Sequence, residues 1–385
     1  MSLRLLLSCG EASGDLYAGA LTRELRALEP SAAVAGLGGP QLQAAGGTLI
    51  DDYRDISATG LIEPLSKLPR LVEARKRLVD WARAERPDAL VLIDFSGFNL
   101  RLAPAIKALG VPIVYYISPQ IWAWRRKRLE TIRTIADRVL VIFPFEEPIY
   151  RDAGIPVEFV GHPLIDLAQP SAPRGPFLAA RGLTPDAPTV AILPGSRTSE
   201  VARMLPRLIE AADRIRIAVP TAQFVLARAP RLPDRLFDAA RGAAGDRLAV
   251  VEGDADTVLA SADVVLTASG TATVQTALHD TPMVIVYRLS AVSYQLLRRL
   301  VSVDAIGMVN LIAGERIVPE LVQDEFTPDA VAREAVSMLT DRARAARIRQ
   351  GLARVREKLG GPGASRRAAE AILRIARSAA GRRTN

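Results

Sequence analysis

Residues Leu5–Asp15 read LLLSCGEASGD, an apolar run that halts at Gly10 and opens into Glu11, Ala12, Ser13, Gly14 and Asp15. The segment behind it, Tyr17–Leu28, is helix-forming, so the stretch predicts a strand, a tight loop and a helix N-terminus. A helix N-terminus gathers unpaired N–H groups and the positive end of the helix dipole, and so favours an anionic neighbour. Gly10–Asp15 is therefore a ligand loop.

Working outward, the same alternation recurs along the chain. Strand-like runs fall at Leu3–Ser8, Ala33–Gly36, Ala89–Ile93, Pro112–Ile117, Val139–Phe143 and Val157–Val160, with helical spacing over Leu61–Ala84 and Pro104–Leu109. Short continuous β-branched runs separated by helices imply a parallel sheet covered on both faces. Gly161–Pro188 carries Pro163, Pro170, Pro173, Pro176, Pro185 and Pro188 and reads as a linker. Alternation resumes with Thr189–Leu193, Gln223–Leu226, Leu248–Val251, Val264–Thr267 and Met283–Val286. The expected fold class is α/β with two Rossmann-like domains, 1–165 and 188–358, joined by a linker at 166–187. A last helix within 359–385 is expected to pack back on the first domain. Open α/β sheets bind ligands beyond the carboxyl ends of their strands, so two such domains are expected to face each other across a cleft.

Composition narrows the classes. The chain has 385 residues, 49% of them apolar and 24% charged, which is a globular balance for two domains. No apolar stretch approaches the roughly 20 residues of a membrane span. Leu3–Leu7 is too short, and too closely followed by Glu11 and Asp15, for a signal peptide, so a cytoplasmic location is expected. Cys9 is the only cysteine, and the two histidines, His162 and His279, have no metal-ligand spacing, so no metal site is expected. The net charge of +8 asks for an anionic partner.

Four strand ends carry candidate chemistry. Gly10 and Gly14 miss the GxGxxG spacing of a dinucleotide site. Asp94, in Ile93–Asn99 (IDFSGFN), is a carboxylate at a strand end and a candidate general base; the alternative is a helix cap. Leu193–Glu200 (LPGSRTSE) offers a phosphate cradle at Gly195 and Ser196, with Arg197 as a bidentate donor, and lacks the GKS or GKT of a Walker motif. Thr267–Thr273 (TASGTAT) ends another strand in glycine and hydroxyls, which either cap a helix or let a ligand approach. Two such loops in one domain suggest a nucleotide lying across its strand ends. Trp122 and Trp124 stand among Arg125, Arg126, Lys127 and Arg128, a pattern that either grips nucleic acid or packs one face into a core. Leu61, Ile62, Leu65 and Leu68 form an apolar stripe flanked by Lys67 and Arg70, either core or a face laid on an anionic membrane.

Together these motifs resemble the lipid-A-disaccharide synthase family, glycosyltransferases of the two-Rossmann GT-B type. The resemblance rests on SCGEASGD at Ser8–Asp15, GLIEPL at Gly60–Leu65, IDFSGFN at Ile93–Asn99, SPQIWAWR at Ser118–Arg125, PFE at Pro144–Glu146, FVGHP at Phe159–Pro163, LPGSR at Leu193–Arg197, ASGTAT at Ala268–Thr273 and NLIAGERIVPEL at Asn310–Leu321. It implies inverting transfer of 2,3-diacylglucosamine from UDP to the 6-hydroxyl of 2,3-diacylglucosamine 1-phosphate (lipid X), without cofactor or metal. It implies Asp94 as base, with Glu11 and Arg197 beside it in the catalytic set. Ser13, Asp15 and Asn99 are implied on the acceptor side. Gly195, Ser196, Ser269, Gly270, Thr271, Thr273, Gln275, Asn310, Glu320 and Gln323 are implied on the nucleotide side. It further implies a peripheral protein on the cytoplasmic face of the inner membrane, touching anionic lipid through Leu61, Ile62, Leu65, Leu68 and Arg70, with no nucleic-acid partner, and it is compatible with a homodimer.

The sequence departs from the family at three places. Gly97 stands where many relatives have a second aspartate, Gln275 where glutamate is common, and Thr59 and Pro64 alter the usual MGxxEV stretch. Two other readings stay open on the residues alone: a UDP-N-acetylglucosamine 2-epimerase of the same fold, and a basic nucleotide- or nucleic-acid-binding module.

Overall fold

The computed structural model describes residues 2–56, 68–119, 126–238, 240, 247–289 and 306–384. The chain divides into two compact units, Met1–Asp166 with Leu359–Asn385, and Leu167–Lys358.

The first unit holds a seven-stranded sheet of β1 (Arg4–Ser8), β2 (Ala33–Gly38), β3 (Thr48–Asp52), β4 (Ala89–Ile93), β5 (Ile113–Tyr116), β6 (Arg138–Val141) and β7 (Val157–Phe159). Its order is β3-β2-β1-β4-β5-β6-β7, with the pairs parallel. The second holds β8 (Thr189–Leu193), β9 (Gln223–Arg228), β10 (Leu248–Glu252), β11 (Val264–Ala268), β12 (Met283–Tyr287) and β13 (Glu320–Val322) in the order β10-β9-β8-β11-β12-β13, again parallel. Both orders reverse direction once, between β1 and β4 and between β8 and β11. In open α/β sheets such reversal points, at the carboxyl edge, are where ligands bind.

The sequence forms these sheets because their central strands are apolar on both faces. All five side chains of β4, ALVLI, are fully buried, as are most of those in β1 and β8. Burial of each large aliphatic among them is worth about 1.5–3 kcal/mol. Register is fixed at the opposite, amino-terminal edge by aspartates standing directly ahead of a strand. Asp88 accepts the N–H of Arg4 (2.8 Å), Asp137 that of Ile113 (2.8 Å) and Asp263 that of Thr189 (2.8 Å). Each carboxylate thus ties the first residue of a neighbouring strand to its own.

Two features differ from the sequence reading. The strands Thr48–Asp52 and Glu320–Val322 were not expected; both are edge strands without a continuous apolar run. Much of the proline-rich segment is no free linker but part of the second unit. Ser171 Oγ donates to Asp254, and Arg174 grips Asp263 with both terminal nitrogens (3.0 and 2.9 Å). The C-terminal helix Ala364–Thr384 belongs to the first unit, where Arg377 pairs with Glu29 (3.0 Å) and Arg374 with Glu158 (3.1 Å).

Candidate active site

In the first unit the two motifs that end β1 and β4 are bonded to each other. Ser8 Oγ donates to Asn99 Oδ1 (2.6 Å), and Asn99 Nδ2 donates to the carbonyl of Asp94 (2.8 Å). Tyr115 Oη donates to the same carbonyl (3.1 Å), and the Asp94 N–H donates to Ile117 (3.0 Å). Burial first, and the Asp94 charge second, push the Tyr115 hydroxyl well above its ordinary range, so it stays a donor. These bonds hold a strained turn. Asp94 and Phe95 both have left-handed backbone, φ +44° and +46°, which non-glycine residues adopt at a cost of about 1–3 kcal/mol each. The strain leaves the Asp94 side chain exposed at the carboxyl edge while its peptide is fixed.

Phe95 swings the other way and covers Gly10. A β-carbon at Gly10 would stand 2.1 Å from the Phe95 ring, so only glycine leaves room for this aromatic side chain. Glu11 is exposed at the N-cap position of the helix Ala12–Leu28, and Ser13 is half-buried in its first turn. Asp15 faces inward. It is 1% exposed, and its oxygens accept the N–H groups of Gly39 (2.7 Å), Gln41 (2.9 Å) and Leu42 (3.1 Å). The carboxylate thus caps the short helix Pro40–Ala44.

In the second unit, Gly195 at φ +118° turns the chain from β8 into the helix Thr198–Ala218. Ser196 and Arg197 are exposed at its start. Their N–H groups already point at an anion, the carboxylate of Glu200: Ser196 N lies 3.2 Å and Arg197 N 3.3 Å from Oε2, and Arg197 Nη1 lies 3.6 Å from Oε1. Ending β12, Tyr287 has its hydroxyl pushed up by burial and then by Glu200, against the opposing pull of Arg197 and Arg203, so it belongs to the same group. Beyond β11, Gly270 (φ +153°) has open space where a β-carbon would go, and Thr271 beside it is exposed. Ser269 Oγ donates to the Ile306 carbonyl (3.1 Å) and Gln275 reaches Asp256 at 3.5 Å.

Four other expected nucleotide contacts are committed to the fold. Thr273 is buried and donates to Gly270. Asn310 is 1% exposed; its amide donates to Val318 and Glu320 and its oxygen accepts from Ile317 and Val318. Glu320 also accepts from Ile306 and Gly307, and Gln323 Oε1 accepts the Leu289 N–H (2.6 Å). Asn99, fully buried, likewise braces the Asp94 turn. What the sequence reading missed is Phe95 over Gly10, Glu200 inside the N–H cradle, and the tyrosines 115 and 287. The i, i+3 spacing of Arg197 and Glu200 was the available signal.

Leu61, Ile62, Leu65, Thr59, Pro64, Lys67, Trp122, Trp124 and Arg125 lie outside the described residues. Leu68 and Val72 are exposed, and Arg70 is paired with Glu73 (3.0 Å) and Asp55 (3.7 Å). Among the described residues no three His, Cys, Asp or Glu side chains gather as a metal site would need, and no helix is long and apolar enough to cross a membrane.

Two doubly wound parallel sheets, each with its glycine- and hydroxyl-bearing loops at the switch point, define an α/β protein of the GT-B fold class. The fold matches the UDP-GlcNAc 2-epimerase from Neisseria meningitidis bound to UDP-GlcNAc (TM-score 0.67, 10% identity, 97% of this chain and 100% of that one). It also matches the glycotransferase of kitacinnamycin (TM-score 0.62, 18% identity, 97% and 99%). The family described as Lipid-A-disaccharide synthetase matches residues 5–375. The lipid-A-disaccharide synthase of Myxococcus xanthus (strain DK1622) is 41% identical over 372 residues, covering 97% of each chain. The chain belongs to the lipid-A-disaccharide synthase family; its likeness to an epimerase is one of fold alone.

Proposed function

We propose that the protein transfers 2,3-diacylglucosamine from UDP to the 6-hydroxyl of lipid X, with inversion, using Asp94 as base. The Asp94 carboxylate takes the hydroxyl proton as O6 bonds to the anomeric carbon and the bond to the UDP oxygen breaks. Charge growing on the diphosphate is met by the N–H groups of Ser196 and Arg197 and by the Arg197 guanidinium, which replaces the need for a metal. Gly270 and Thr271, with Ser269 and Gln275 beside them, receive the nucleotide, and Glu11 and Ser13 receive the acceptor sugar. The observation that carries this reading is the strained Asp94 turn, whose backbone is fixed by three hydrogen bonds while its carboxylate is left at the edge. The basic chain works as a peripheral protein on the cytoplasmic face of the inner membrane, with no nucleic-acid partner.

Supplying UDP-diacylglucosamine and lipid X should yield UDP and the β-1′,6 disaccharide phosphate. Asp94→Ala and Asp94→Asn should lose about 10²–10⁴ of kcat, the usual worth of a general base. Full activity in either variant, or no product from the unaltered protein in any detergent, overturns the assignment.

A further inference from the structure

The donors assigned above to the diphosphate are not vacant. Glu200 fills them with its own carboxylate, and Gly195 must be glycine partly for that reason, since a β-carbon there would stand 2.6 Å from Glu200 Oε2. Its bonds to Ser196 and Arg197, at 3.2 and 3.3 Å, are long for charge-assisted ones, which run about 2.7–2.9 Å. A loosely held anion is one that a better anion can replace. Two anions cannot both take the same two backbone N–H groups, so a diphosphate that binds them must push the carboxylate off them. The Glu200 side chain is 23% exposed and has solvent to move into.

We infer that Glu200 is a tethered competitor for the diphosphate seat, which weakens the hold on UDP and re-closes the cradle when UDP leaves. This rests on the placement of the diphosphate at Ser196 and Arg197. It makes Glu200 a positioning residue that acts through the donors it occupies, and it predicts that nucleotide exchange becomes slower once the competitor is gone. A plain helix cap makes no such prediction: removing it would cost stability and leave ligand affinity unchanged or lower.

Titration calorimetry with UDP and with uridine separates the two. Glu200→Gln should bind UDP about tenfold more tightly than the unaltered protein, bind uridine equally, and show a matching tenfold fall in the UDP inhibition constant with a lower kcat. Glu200→Asp, one methylene too short to span the same gap, should move UDP affinity in the same direction and serves if the glutamine variant does not fold. Unchanged or weaker UDP binding in a folded variant, or a uridine change equal to the UDP change, overturns the inference. Arg197→Ala distinguishes this from failure of the seat itself. If it weakens UDP while Glu200→Gln does not tighten it, only the competitor falls. If it leaves UDP binding intact, the seat and the competitor fall together.

Discussion

Asp94, Asn99 and Asp15 show what a single residue's identity leaves undecided. All three are polar residues in or beside motifs at strand ends, and all three were expected at substrate. Only the backbone around them separates an exposed carboxylate from a buried brace and a buried helix cap: Asp94 stands in a left-handed turn, whereas Asn99 and Asp15 lie on buried faces of the helices that follow their strands. His162 of the FVGHP motif makes the point with a titration. Burial lowers its pKa from an ordinary 6.5 to about 3, while its Nδ1 accepts the Leu164 N–H (3.2 Å) and its ring packs against Tyr17 and Phe143. The unfolded chain therefore binds this proton below pH 6.5 and the folded one does not, so stability is lost as pH falls. Going from pH 7 to pH 5 should cost about 2 kcal/mol through this group alone. Urea unfolding at the two pH values should show that difference shrink by about this much in His162→Asn; an unchanged difference would refute it.

At the scale of elements, the strands most legible from sequence were those buried on both faces. Ala89–Ile93 and Thr189–Leu193 were read with their observed ends, since an apolar run this short between turn residues is too brief for a helix. Thr48–Asp52 and Glu320–Val322 escaped because an edge strand needs fewer apolar residues, and Glu320 is used inward as a hydrogen-bond acceptor. The aspartates ahead of β4, β6 and β11 also escaped: an Asp before an apolar run looks like an ordinary turn residue, and its partner lies in a different strand. Asp263 bonds both the first N–H of β8 and Arg174. Its replacement by alanine should cost about 1–3 kcal/mol of unfolding free energy, measured by denaturant titration, with the folded protein's turnover unchanged. A stability loss below a few tenths would show that the staple is redundant.

For the whole molecule, the two-sheet architecture was legible, because alternation of apolar runs and helical segments is a long-range signal in the chain. Which polar groups reach solvent was not, since that is decided by tertiary packing. Fifty Lys and Arg against 42 Asp and Glu leave the excess of eight positive charges, although Arg70 and Arg77 near the apolar Leu68 and Val72 are matched by Glu73, Asp55 and Asp51. The protein should sediment with vesicles containing anionic lipid, release as salt is raised, and ignore neutral vesicles; equal binding to both would remove charge as the cause. The aspartate staples have a consequence for how such a protein changes over generations. Strand register is written at the amino-terminal edge, so the loops at the carboxyl edge can be rewritten without the sheet losing its place.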